Sequence, residues 1–269
     1  MIKIYTYADK RPDFIPYQFK SLKHFLTDEF EYIVFNNATN SFNRWKINNL
    51  CNKLGIKVYP IKNPNHSNAN IACAYPLQWS FHKIIRYQKE NIAAILDSDM
   101  FLLKKFNIRE YLDGFDIAGT KQIREKVKYL WNGILFFNLK TLPSIDYLNF
   151  MCGFIDGTAT DVGGYLYYYF LKNPSVKVKN ILHTSHIHSK NKNLNVLPKE
   201  ILCRYDENFC FELYESAFLH YGRGSNWDKM SREFHKKKTS LAFDFIDGCI
   251  KSNIKLLRYK YIFDKDAWK

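Results

Sequence analysis

The 269-residue sequence predicts an α/β domain with a mostly parallel central sheet and helices on its faces. Three observations predict it. Short runs rich in β-branched and aromatic residues alternate with helix-length amphipathic stretches through the first hundred residues, which is the pattern of βαβ units. Hydrophobic residues make up 46% of the chain and aromatics 17%, enough for a substantial core and too much for a disordered polymer. The fourth strand-like run, IAAIL, reads as buried and yet leads directly into two acids, Asp97 and Asp99.

Taken in order, Ile2 to Tyr7 (IKIYTY) is the first strand. Ile15, Phe19, Leu22 and Leu26 then recur at spacings of four, three and four, one stripe of a helix, with Pro16 suited to its first turn. Tyr32 to Asn37 (YIVFNN) is a second buried strand that ends in polar residues. Ile47, Leu50, Cys51 and Leu54 stripe a second helix, which Gly55 stops, and IKVYPI is the third strand. After the polar loop KNPNHSNAN, which holds His66 to Asn70, a third helix carries Leu77, Phe81, Ile84 and Ile85, and Ile92 to Leu96 is the fourth strand. Beyond Asp99 the pattern loosens. Gly133 to Leu139 (GILFFNL) is a further strand, Asp161 to Lys172 a helix with an aromatic face, and residues 179–195 a loop rich in His, Lys and Asn. The simplest division is one α/β domain over residues 1–228 and a basic, helical appendage over 229–269, where 11 Lys/Arg face 5 Asp/Glu.

The whole chain carries 40 Lys/Arg against 26 Asp/Glu, a net charge of +14. That balance favours phosphates, nucleic acid or an anionic membrane face without choosing among them. The six cysteines show no CxxC spacing, which argues against a zinc site and for reduced thiols in a cytosol-like compartment. The first residues contain no signal-peptide run, and no stretch approaches the roughly 20 apolar residues of a membrane helix.

Side chains alternate along a strand, so an extended Asp97-Ser98-Asp99 points its two carboxylates to one side and Ser98 to the other. Ligands of open α/β sheets collect outside the carboxyl ends of the strands. Two like charges placed there raise each other's cost unless a cation lies between them, and a hard divalent ion, Mn²⁺ or Mg²⁺, suits oxygen ligands. Capping of a turn or helix is the plainer use of such acids; the buried run before them favours the metal. Further on, FLHYGRGSNWD (Phe218 to Asp228) combines an imidazole, glycines and an arginine. Gly222 and Gly224 let the backbone approach a phosphate, Arg223 offers a two-pronged contact with its oxygens, and His220 is either a Mn²⁺ ligand or a hydrogen-bonded core histidine. His183, His186 and His188 have no matching Cys or carboxylate set nearby and read as a polar loop.

AAILDSDMFLLKKF resembles the DxD segment of GT-A-fold glycosyltransferases, which use a nucleotide sugar and usually Mn²⁺. Three further segments, in the same order along residues 1–228, support that resemblance: IYTYAD, LWNGILFFNLKTL (similar to the NSGVxLxNL segment of family 8-like members) and FLHYGRGSNWD (similar to HYxGxxKPW). The resemblance implies a GT-A fold. It makes Asp97, Asp99 and His220 the metal ligands, with Asp97 and Ser98 also at the donor; Thr6, Tyr7, Ala8 and Asp9 contacts of the nucleoside; and Asn132 and Gly133 neighbours of the donor sugar. The serine of NSG and the lysine of the late motif are missing, and Arg223 is the cation at hand beside Gly222 and Gly224. Asp161 resembles the acceptor-side carboxylate of relatives and reads equally as a helix N-cap.

The expected partners are a UDP- or GDP-linked sugar donor and a glycan or other hydroxyl acceptor. Peripheral membrane contact through the basic C-terminal segment competes there with a helix simply packed on the domain. A nucleotidyltransferase is the nearest rival, but TYADKRPDF has no glycine for a phosphate loop. A non-catalytic nucleic-acid binder has no use for converging carboxylates, which repel phosphate, so no nucleic-acid partner is expected. Gln78 and Lys83 lie on the helix before the acids, within reach of a base or ribose or merely solvated.

Overall fold

The computed structural model describes residues 1–89, 91–186, 211–222 and 231–251. It has the expected class: a mixed α/β fold with a mostly parallel central sheet flanked by helices. The order is β1 (Ile2–Ala8), α1 (Phe14–Phe25), β2 (Phe30–Asn36), α2 (Ser41–Leu54), β3 (Lys57–Pro60), α3 (Ala69–Lys83), β4 (Ile92–Leu96), β5 (Met100–Leu102), α4 (Ile108–Leu112), β6 (Ile117–Arg124) and β7 (Val127–Asn138). A small hairpin, β8 (Phe154–Ile155) and β9 (Thr158–Ala159), precedes α5 (Leu166–Lys172), β10 (Val178–Asn180), β11 (His183–His186), β12 (Glu212–Tyr214), β13 (Phe218–His220) and helix α6 (Arg232–Ile250).

The seven-stranded sheet runs β10-β6-β7-β4-β1-β2-β3. Strands β1 to β4 are mutually parallel, β10 is parallel to β6, and β7 runs antiparallel to both β4 and β6. Because β1 and β4 are parallel neighbours, Ala8-Asp9 and Asp97 leave the sheet at the same edge, where ligands of such sheets gather. Alternation then sorts the core. Ile92, Ala94 and Leu96 of β4 face one cluster with Phe14, Ile15 and Leu22 of α1 and Ile47 and Cys51 of α2. Ala93 and Ile95 face the other, with Leu77 and Phe81 of α3 and Leu166 and Tyr169 of α5. Both faces are covered, which is why IAAIL carries no polar residue.

Local signals explain the helix ends. The Asn40 side chain caps α2 by accepting from the Asn43 amide at 2.7 Å. Gly55, at φ +66°, ends that helix while the Ile56 amide returns to the Cys51 carbonyl at 2.8 Å.

Some expectations change. Residues 162–165 form turns, so the aromatic helix starts only at Leu166. The described part of the expected 179–195 loop contains strands β10 and β11; its remainder, from residue 187, lies outside the described residues. The described C-terminal segment is a helix packed on α1 into the same core: Phe243 stacks on Tyr17 at 3.6 Å, and Ala242, Phe245, Ile246 and Cys249 are buried with β5 and β13. Among the described residues no helix is long and apolar enough to cross a membrane, and Cys51, Cys73, Cys152 and Cys249 are free thiols.

Phe245 is 3% exposed, so Phe245→Ala should lower stability by about 3–5 kcal/mol through lost burial and a cavity. Urea denaturation followed by circular dichroism checks this; a loss under about 1 kcal/mol would show that α6 is only loosely applied.

Candidate metal centre

The Asp97 amide donates to the Gly133 carbonyl of β7 at 2.9 Å, and the chain then turns, with the Met100 amide donating to the Asp97 carbonyl at 3.0 Å. The two acids therefore sit in a β-turn with Ser98 at its tip. This corrects the expectation of an extended segment: the carboxylates converge because the chain reverses between the seven-stranded sheet and β5 of a second, four-stranded sheet. Gln18 of α1, fully buried, holds the turn from beneath. Its side-chain amide donates to the carbonyls of Asp97 and Met100, both at 2.7 Å, and its oxygen accepts from the Tyr32 hydroxyl at 2.5 Å. Ser21, one turn later, accepts from the Leu102 amide at 3.2 Å.

The third group arrives on β13, which pairs antiparallel with β5 so that His220 lies opposite Met100. The Tyr221 amide donates to the Asp99 carbonyl at 2.8 Å. Asp97, Asp99 and His220 each present a ligand atom within 4.8 Å of the others, the only such cluster of three or more among the described residues. The His220 Nε2 faces Asp99 Oδ1 at 3.3 Å, and its Nδ1 lies 2.6 Å from Glu212 Oε2 on the neighbouring strand β12. The same Glu212 oxygen accepts from the Tyr214 hydroxyl at 2.9 Å. Trp131 stacks on Tyr214 at 5.4 Å and meets the His220 ring at 5.1 Å.

This donor set fits a divalent cation. Two carboxylates supply hard oxygens, and an imidazole whose other nitrogen is anchored on a carboxylate is the usual arrangement of a metal-bound histidine. The electrostatics point the same way. Burial, then Asp99, pushes Asp97 up to about 7, against the pull of His220. Burial alone would raise Asp99, yet the charge and hydrogen bond of His220, helped by Lys238, hold it below the usual carboxylate range. His220 rises to about 10 because Asp99 and Glu212 outweigh the cost of burying its charge, and Glu212 falls to about 2 for the reciprocal reason. Without metal, the imidazolium is the cation that keeps the acids together.

The remaining candidates surround this centre unequally. Thr6 and Ala8 are buried in β1, the Tyr7 hydroxyl shares a hydrogen bond with Ser80 at 2.7 Å, and Asp9 accepts from the Thr39 amide at 3.1 Å. The acids Asp97, Asp161, Asp99 and Asp9 all act on Cys73 of α3, whose thiol is pushed up to about 12 by desolvation and then by their charges. Asp161 accepts from the Val162 amide at 2.8 Å and lies 3.6 Å from Arg124, so it serves a turn rather than capping the first residues of α5. Asn132 and Gly133 lie in a bulge of β7, since Thr120 pairs with Trp131 while Gly119 pairs with Leu135. A Cβ at Gly133 would fall 2.1 Å from the Trp131 ring, so only glycine lets the indole fold across to His220. Gly222 adopts φ +71° and its carbonyl accepts from Lys238 at 2.8 Å. Arg223, Gly224 and His188 lie outside the described residues. Gln78 is engaged elsewhere, donating to the Leu148 carbonyl and accepting from the Phe150 amide at 2.6 Å.

Three residues of this centre are absent from the sequence reading. Gln18 is, with Ser21, a polar position in the buried stripe of α1. Glu212 becomes visible only once β12 and β13 pair, with Glu212 opposite His220. Lys238, 1% exposed, ends the basic run but falls on the inward face with His235, Ala242 and Phe245, at helical spacing.

No protein-family model and no curated protein sequence matches the chain. Solved structures resemble it in fold. They include the mannosyltransferase PcManGT from Pyrobaculum calidifontis in complex with GDP-Man and Mn²⁺, 10% identical over 66% of this chain and 54% of that one, at a TM-score of 0.43. The bifunctional glycosyltransferase WbbM is 14% identical over 52% of this chain and 31% of that one, TM-score 0.36. The galactosyltransferase LgtC, in complex with donor and acceptor sugar analogues, is 12% identical over 51% and 58%, TM-score 0.35. The chain thus spans between 31% and 58% of the length of these proteins. All three are glycosyltransferases.

Metal binding should release protons. With His220 at about 10 and Asp97 at about 7, Mn²⁺ must displace the Nε2 proton, so its affinity should rise about tenfold per pH unit between those values and more steeply below pH 7. Calorimetry in buffers of different ionisation enthalpy at pH 8 should count close to one proton released; none would show that His220 is not displaced. Glu212→Ala should weaken Mn²⁺ binding about 10- to 100-fold, measured by the same titration, while the far-UV spectrum stays unchanged.

Proposed function

We propose that the chain is a metal-dependent glycosyltransferase that moves a sugar from a UDP- or GDP-linked donor to a hydroxyl of a glycan or other acceptor. The observation that carries this reading is the Asp97–Asp99–His220 group, placed at the edge where β1 and β4 leave the sheet and backed by Glu212. Mn²⁺ or Mg²⁺ bound there would supply the positive charge that stabilises a leaving diphosphate.

The protein's own residues divide the remaining work. Asp97, Asp99 and the His220 Nε2 hold the ion, and Glu212 keeps the other imidazole nitrogen protonated and the ring aimed. Thr6, Tyr7, Ala8 and Asp9 form the nucleoside side of the cleft, with Asp97 and Ser98 next to the ribose. Asn132 and Gly133, in the β7 bulge, border the donor sugar. Gly222 with Arg223 and Gly224 receives the diphosphate. Asp161, whose charge acts on Asp97, takes the acceptor hydroxyl's proton if transfer inverts the anomeric centre.

The protein incubated with Mn²⁺ and a panel of UDP- and GDP-sugars should slowly hydrolyse one donor, releasing free nucleotide. Asp99→Asn should lower that rate about 100-fold while leaving the melting temperature without metal within a few degrees. Absence of release from every donor, together with no melting shift from any nucleotide in Mn²⁺, would overturn the reading.

A further inference from the structure

A cleft away from the metal centre opens beside the first turn of α1. The loop after β1, helix α2 and the N-terminal half of α6 enclose an open cleft of about 890 Å³. Six cations line it, Lys10, Arg11, Lys46, Lys53, Arg232 and Lys236, against the single carboxylate of Asp13. That carboxylate is already taken by Arg11, with nitrogen–oxygen distances of 2.8 and 2.6 Å. Among the described residues, Lys46, Lys53, Arg232 and Lys236 form no ion pair. Four cations from two helices converging on one hollow without an ion-pair partner among the described residues make it a place that attracts an anion from outside.

The rim defines that anion further. Trp45 lines the cleft, and Phe42, one turn earlier, stacks on it at 6.3 Å. They are 61% and 62% exposed, among the largest apolar groups the fold leaves in water. A soluble polyanion held by the lysines would leave this pair solvated. A lipid surface would not, since tryptophan and phenylalanine partition to the headgroup level of a bilayer while neighbouring lysines meet its phosphates.

We propose that this cleft is where the protein rests on an anionic phospholipid surface, a lipid phosphate lying among Lys46, Lys53 and Lys236 with Phe42 and Trp45 inserted beside it. The site is separate from the metal centre and holds for any donor, so its failure and that of the transferase reading are distinguishable. It is nonetheless tied to that centre: Arg11 donates to Thr239 of α6 at 3.0 Å, and the Thr239 hydroxyl lies 3.2 Å from that of Tyr221, the residue after His220.

The test is co-sedimentation of the full chain with vesicles of phosphatidylcholine alone or containing about 30 mol% phosphatidylglycerol, at about 0.1 and 0.5 M salt. Binding is expected to the anionic vesicles only, to fall at the higher salt, and to weaken at least tenfold in the exposed triple variant Lys46→Glu/Lys53→Glu/Lys236→Glu and measurably in Trp45→Ala. Donor hydrolysis without vesicles should be unchanged in both variants. Equal vesicle binding by wild type and triple variant would overturn the proposal and move membrane contact to another part of the chain. Absence of vesicle binding, or a melting shift by millimolar pyrophosphate that the triple variant loses while vesicles stay unbound, would overturn it in favour of a soluble phosphate ligand or none.

Discussion

Two carboxylates and an imidazole forced within 4.8 Å of one another are the constraint around which this molecule is organised. Like charges at that range repel, and the cost grows as water is removed. The fold meets it by supplying a third group that is charged when metal is absent and could serve as a ligand to a bound cation. His220 suits both roles because Glu212 lies 2.6 Å from its far nitrogen, which would fix the ring whether the near nitrogen carries a proton or faces an ion.

That arrangement needs two sheets to meet. The acids end a parallel strand, the imidazole comes from an antiparallel pair, and the turn between β4 and β5 joins them. Gln18 is the hinge pin: one buried amide satisfies two carbonyls of the turn and one tyrosine hydroxyl. A buried polar side chain in the middle of a helix stripe costs stability unless every bond is made, and here every bond goes to the site or to the strand beside it. The inward Lys238 and the Thr239 contacts of α6 similarly hold residues 221–222, so the C-terminal helix positions the segment next to His220 as well as completing the core.

Much of this was legible in the sequence because the strongest signals are local. The alternation of strand-like and helix-like runs yields the parallel half of the sheet, and an apolar run ending in two acids marks the site. What escaped detection is non-local or irregular. The turn at Asp97 replaces strand alternation because Gln18, 79 residues away in sequence, holds it closed. Glu212 acquires its role only through pairing with His220 across a hairpin. The β7 bulge leaves one trace, a glycine inside an apolar strand, and its partner Trp131 leaves none. Lys238 was hidden in a basic run whose composition suggested solvent, while helical spacing placed it inside.

The most direct test is pulsed electron paramagnetic resonance of Mn²⁺ bound to the protein. The account predicts a ¹⁴N coupling from one imidazole, lost in His220→Ala, and ³¹P couplings that appear when UDP or GDP is added. A spectrum showing only water protons, unchanged by either nucleotide, would contradict it.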